Sequence, residues 1–359
     1  MIQKKIKSLI QKRTNSLFRP LLLFCFVILI IVMIRFIFGA REVGRPRRFS
    51  RPADAVTRPT RMCIMLPTLT WGELDYRFRE SVAKTPLLSV ALPSILDTTD
   101  DNDGVQYLLL IGHNPEDAVF GYEHLGSTVG ARKLAIEIVS ELVGNRKNIH
   151  VLLRTIYGTT GTTVLWNALA LWGFDIGCDY FVPANDDLLW VSSGWANLAI
   201  QELRNKTEPC PNFGIVALSD GNAFKVDFPT FHIVSRLHMY IHKRTYYPVV
   251  MRGWGVDPWI YYSYVAVGAG TLNHNIKVLN RVQEYDRVNK KVIKLLPLSL
   301  ERYDGDPTHS LQWQNYSVNE VAFLRSWMTD EQSICCDSIE CTEQQVGSSL
   351  ILPVVSVFR

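Results

Sequence analysis

Two groups of carboxylates in the chain stand where they could do chemistry. In the first, Asn185-Asp186-Asp187 follows a short apolar run, Tyr180-Phe181-Val182, that stops at Pro183. Adjacent acids repel, and a fold carries them cheaply only in water or against a cation. Such oxygen ligands suit Mg²⁺ or Mn²⁺, ions that also bridge diphosphates. The second group centres on Asp257, in Met251-Arg252-Gly253-Trp254-Gly255-Val256-Asp257-Pro258-Trp259. Its glycines permit tight turning, and Trp254 and Trp259 offer flat apolar walls beside the acid. A sugar ring needs that setting, stacking its C–H faces while its hydroxyls bond to the carboxylate. Asp257 reads equally as the N-cap of a helix that has Pro258 in its first turn.

Elements able to position these acids are legible upstream. Cys63–Thr68, Tyr107–Gly112, Asn148–Leu153 and Tyr180–Val182 read as buried strands. Between them lie helical patterns through Val82–Leu92, closing at Pro93 or somewhat later, then near Ala131–Leu142 and over Thr163–Trp172. Four alternations of strand and helix predict a mostly parallel sheet covered on both faces. Asp186 and Asp187 then fall at the carboxyl ends of its strands, where open α/β sheets bind ligands. Ser192 and Ser193 are offered as N-caps for a helix from Trp195. Further strands are expected at Asn212–Leu218 and Phe231–Arg236, the first ending in a turn, Ser219-Asp220-Gly221-Asn222.

A strand delivering Asn185-Asp186-Asp187 after an amphipathic helix resembles the acidic motif of the GT-A glycosyltransferases. The resemblance runs from about Cys63 to Val282 and implies an α/β, Rossmann-like GT-A domain using a nucleotide-diphosphate sugar donor and a glycan or glycoconjugate acceptor. It implies Asp187 as the acid on a Mn²⁺ (or Mg²⁺) ion, with Asp186 and Asn185 in the middle and first motif positions. Asn stands where the family has an acid. Thr68, Asp117 and Asn167 fall where donor-nucleotide contacts would lie, although turn and packing roles fit them equally. His274, with His232 as competitor, is the implied late metal-binding histidine. Asp257 resembles the general base that precedes a Trp in inverting N-acetylglucosaminyltransferases, with Val256 and Pro258 departing from that pattern. Trp254 and Trp259 become acceptor-binding residues. Two other classes remain open: a carbohydrate-binding protein of the same fold without catalysis, and a metal-dependent hydrolase built on Asp186 and Asp187.

The N-terminal sixty residues are of another kind. Residues 21–40 are apolar apart from Arg35 and Gly39, long enough to span a bilayer, and follow a basic tail, residues 1–20. The span is expected to be an uncleaved signal anchor of a single-pass type II protein of the Golgi or ER membrane. An Arg/Pro-rich stem follows over 41–60, then the enzyme domain over 61–300 and a cysteine-bearing extension over 301–359. Residues 1–61 hold 14 basic and 2 acidic residues, leaving 24 basic against 32 acidic beyond them. The overall charge of +4 therefore belongs to the anchor and its flanks, and nucleic acid is excluded as a partner. Sequons at Asn205 and Asn315, and an even set of six cysteines outside the span, suit an oxidising lumen. Which cysteines pair is open.

Overall fold

The computed structural model describes residues 58–70, 75–121, 128–157, 161–206, 209–222, 229–251, 255–296 and 307–330. The expected membrane span and basic tail, most of the stem, Trp254 and the residues beyond 330 lie outside these. No helix among the described residues is long and apolar enough to cross a membrane.

The first half of the domain is built as the alternation predicts. Strands β1 (Thr60–Thr68), β2 (Val105–His113), β3 (Ile149–Thr155) and β4 (Tyr180–Pro183) are all parallel, in the spatial order β3-β2-β1-β4. From β1 the chain builds outward to β2 and β3, then returns to the other side of β1. Right-handed crossovers in opposite directions must place their helices on opposite faces. Accordingly α1 (Arg79–Ala83), a π-helical turn (Leu87–Ala91), α2 (Leu92–Thr98) and α3 (Thr128–Val143) share one core, and α4 (Thr162–Asp175) lies in the other. Strand β1 feeds both: Met62, Ile64 and Leu66 enter the first core, Cys63 and Met65 the second. A strand buried on both faces needs this unbroken apolar run. Pro93 does not end a helix. It falls in the first turn of α2, where no amide hydrogen is needed.

Beyond β4 the sheet becomes mixed. The remaining elements are β5 (Leu189–Trp190), α5 (Trp195–Arg204), β6 (Ile215–Asp220), β7 (His232–Ser235), α6 (Arg236–Ile241), α7 (Val256–Val265), β8 (Gly270–Leu279), β9 (Val282–Asp286), β10 (Lys291–Leu295) and α8 (Pro307–Asp330). The full order is β3-β2-β1-β4-β7-β6-β8-β5, with β9 and β10 as a separate antiparallel pair. Strand β7 runs against both β4 and β6, so β6 is parallel to β4 and its carboxyl end reaches the same edge. The turn expected at Ser219 begins two residues later, since β6 continues through Asp220. Helix α5 starts after Gly194 in a left-handed conformation, with neither Ser192 nor Ser193 capping it. Helix α8 docks on the second core through Leu324, with Trp327 stacked on Phe213, so the packed domain extends past residue 300.

The disulfide Cys63–Cys178 joins β1 to the residues leading into β4, with the Cα atoms 5.9 Å apart and both cysteines buried. It closes a separation of 115 residues and ties together the two strands that flank the point where the strand order reverses. Replacing both cysteines by Ala should lower unfolding free energy by about 2–5 kcal/mol. The readout is the urea midpoint under non-reducing conditions; an unmoved midpoint would refute the assigned role of this bridge.

Candidate functional site

Open α/β sheets bind ligands at the carboxyl edge where the strand order reverses. Here that point lies between β1 and β4, and a hydrogen bond spans it: the Thr68 hydroxyl, at the end of β1, donates to Asp186 Oδ2 at 2.9 Å. Thr68 is buried and Asp186 partly so. Burial, and then the neighbouring Asp187 charge, push the Asp186 carboxyl up to about 7, against the lowering effect of the Thr68 bond. Burial likewise pushes Asp187 up to about 6, opposed by backbone amides and by Arg281 and assisted by Asp220. Water is being withheld from two acids whose charges are incompletely matched, the condition that favours a bound cation.

Two further carboxylates join them. Asp220, at the carboxyl end of β6, is buried, and its Oδ1 accepts from the amides of Asn222 (2.9 Å) and Asn280 (3.1 Å). Its Oδ2 is buried without a hydrogen-bond partner, although the Thr230 hydroxyl lies near enough to lower its pKa. Asp257 lies in the first turn of α7, whose N-cap is Gly255 at φ +85°. Asp257 is therefore not the cap. Burial, followed by the Asp220 charge, raises its carboxyl well above the ordinary range. Asp220 thus influences both Asp187 and Asp257.

The other expected site residues have been placed by the fold as follows. Asn185 Nδ2 donates to Asn280 Oδ1 at 3.2 Å, tying the acidic loop to the turn after β8. Asp117 sits near Asp186 and contributes to its raised pKa, but its carboxylate accepts amides of Thr70, Val119 and Phe120 at 2.7–2.9 Å. It organises the loop after β1 and leaves little acceptor capacity for a nucleoside. The Asn167 amide bonds three times to the backbone of Tyr246 and Tyr247, at 2.7–3.1 Å, and so clamps a loop. Trp259 is corrected, since it is 2% exposed, faces His242 and belongs to the core. An acceptor wall must be reachable, and this ring is not. Trp254 lies outside the described residues.

His274 is exposed, in the stretch where β8 loses register with β6, and no hydrogen bond or ion pair among the described residues links it to the acidic loop. Its competitor His232 starts β7 at the correct edge but is fully buried, its ring stacked with Tyr246 and its pKa lowered by burial to about 3. Among the described residues no three His, Cys, Asp or Glu side chains form a metal cage. The donor set fits an ion completed by a ligand's own oxygens, since Mg²⁺-type sites commonly use one or two carboxylates plus phosphates. Asp220 and Arg281 were missed by sequence reasoning. Asp220 ends an apolar run that points at the same edge as β4, a signal hidden by its resemblance to an ordinary turn residue.

No protein-family model matches the chain, and no curated protein matches it. Solved structures with some likeness include residues 1–349 of TarS from S. aureus, at 12% identity and a TM-score of 0.37, covering 80% of this chain and 77% of that one. Its complexes with UDP (10%, TM-score 0.33, 80% and 77% covered) and UDP-GlcNAc (11%, 0.38, 73% and 72%) behave similarly. Overlaps this small carry no argument about activity.

The raised pKa of Asp186 has a direct consequence for stability. A carboxyl raised in the folded state favours folding while protonated, and that advantage disappears as pH rises through about 7. Asp186→Asn should therefore melt at a higher temperature than wild type at pH 8 without divalent cations. The gap should close as pH falls toward the ordinary carboxylate range, about 4. A gap independent of pH would show that Asp186 is not held uncompensated.

Proposed function

We propose that this protein is a metal-dependent glycosyltransferase, moving a sugar from a nucleotide-diphosphate donor to the hydroxyl of a glycan or glycoconjugate. The observation that carries the reading is the Thr68–Asp186 bond across the β1/β4 reversal, with Asp187 and Asp257 each in electrostatic reach of Asp220. A pit of acids with raised pKa values repels a bare diphosphate and accepts one only together with a cation. Asp187, with Asp186 beside it, would hold Mn²⁺ or Mg²⁺. Bound there, such an ion supplies Lewis-acid stabilisation to the diphosphate leaving group. Asn185, fixed to Asn280, shapes the loop beside it. Thr68 holds Asp186 in place, leaving Asp187 to face the ion.

Asp257 serves the acceptor. A carboxylate whose proton affinity is raised by burial and by the Asp220 charge is a stronger base toward an attacking hydroxyl than an ordinary one. Tyr246 and Tyr247 lie close enough to feel its charge, and Asn167 holds their backbone. An inverting reaction would use Asp257 as base; a retaining one would use it to bind the acceptor. The apolar span at 21–40, the exposed sequon residue Asn205 and the Cys63–Cys178 bridge support a Golgi or ER enzyme anchored as a type II protein with this domain in the lumen.

Two experiments test the reading. In calorimetric titrations of the soluble domain with UDP and other nucleoside diphosphates, wild type should bind in the presence of Mn²⁺ and not in EDTA. Asp187→Ala should lose that binding while Asn185→Ala keeps most of it, because a charged oxygen ligand is removed only in the former. Metal-independent binding, or an unaffected Asp187→Ala, would end the donor assignment. In turnover assays Asp257→Asn preserves shape but cannot take the proton, and should lose about 10²–10⁴-fold in kcat with donor affinity retained. A rise in acceptor KM alone would mark Asp257 as a binding residue, and wild-type kinetics would remove it from the site.

A further inference from the structure

Asp220 stands outside the acidic motif, yet its hydrogen bonds lead into it. Oδ1 accepts the amides of Asn222 and Asn280, and the Gly221 amide donates to the Val278 carbonyl at 2.9 Å. Asn222 Nδ2 donates to the carbonyls of Asn280 (2.8 Å) and Leu296 (3.1 Å). These bonds fix the turn joining β8 to β9, in which Arg281 adopts a left-handed φ of +64°. That turn meets the acidic loop twice. Asn185 Nδ2 donates to Asn280 Oδ1, and the Val282 amide donates to the Asp187 carbonyl at 3.0 Å.

We infer that Asp220 is a positioning residue for the donor site, acting through the Asn280–Val282 turn to hold the Asn185–Asp187 loop in its binding shape. The inference rests on the glycosyltransferase reading for its kinetic consequence, but not for its structural one. Left-handed backbone at a non-glycine residue is costly and persists only where its surroundings impose it. A buried side-chain oxygen receiving the Asn280 amide is such an imposition, and it explains why β6 ends in a residue that carries one. Both geometric bonds to the Asp220 carboxylate come to Oδ1, from the Asn222 and Asn280 amides, while Oδ2 is buried near the Thr230 hydroxyl.

Asn keeps one carbonyl oxygen for the two amides, whereas Ala removes it. Asp220→Ala should accelerate hydrogen exchange at the amides of Asn280 and Val282. It should also raise donor KM about tenfold, the scale of losing one or two buried hydrogen bonds, with acceptor KM unchanged. Asp220→Asn should restore both exchange protection and donor KM to within about twofold. If Asp220→Ala fails to fold, Asn222→Ala removes the two side-chain bonds of the same turn and should produce the same pattern more weakly. Unchanged exchange in Asp220→Ala, or failure of Asp220→Asn to rescue it, overturns the inference. Faster exchange with an unaltered donor KM also overturns it. Wild-type protein that binds no nucleotide with Mn²⁺ yet shows the expected exchange pattern would instead count against the functional reading alone, leaving the positioning of the loop by Asp220 intact.

Discussion

Repulsion between carboxylates at one edge of the sheet is the constraint around which the rest is arranged. Asp186, Asp187, Asp220 and Asp257 all have raised pKa values; the Asp187 charge acts on Asp186, and the Asp220 charge acts on Asp187 and Asp257. Burial is the largest cause in every case, and like charge adds to it at Asp186, Asp187 and Asp257. Such a group lowers the stability of the folded state near neutral pH, because each acid must either protonate or ionise without full hydration. A fold that merely needed turns at these positions would use Asn or Gly, as it does at Asn280 and Gly255.

Holding the acids together against that repulsion requires a rigid frame, and its parts are identifiable. The Cys63–Cys178 bridge and the Thr68 hydroxyl fasten β1 to the β4 side of the reversal point. Asp117 fixes the loop after β1 through the amide of Thr70, and the Ala118 amide returns a bond to the Thr70 carbonyl at 3.2 Å. On the far side, β7 inserted antiparallel between β4 and β6 brings the end of β6 to the same edge. The mixed half of the sheet is therefore what places Asp220 beside Asp187. A wholly parallel continuation would have needed another crossover helix at that place.

The parallel half was legible because its signals are local. Apolar runs such as Leu108–Ile111 and Ile64–Leu66 have the length and flanking turns of doubly buried strands, and the helical patterns between them supply crossovers. Asp186 and Asp187 followed from strand position alone. What could not be read depended on contacts distant in sequence. Asn167 meets Tyr246 and Tyr247 some eighty residues away, so nothing in its own helix distinguishes a backbone clamp from a ligand contact. Trp259 lies two residues after the acid in sequence and so on a different side of the helix, turned toward His242 and the core. Asp220 was disguised by Gly221 and Asn222, which make any preceding acid look like turn chemistry.

The position of Asp257 shows which physical effect dominates at the second end of the site. It occupies the first turn of α7, where the helix dipole favours an anion by about 0.3–1 kcal/mol. That would lower its pKa, and an N-cap role would lower it further through bonds from backbone amides. Gly255 takes the cap instead, its left-handed φ turning the chain into the helix and leaving the acid two residues inside. The carboxyl nevertheless lies well above the ordinary range, so burial and Asp220 together outweigh the dipole. An acid used for helix stability would be exposed and capping, and this one is neither. Its surroundings favour the protonated carboxyl over the ionised one.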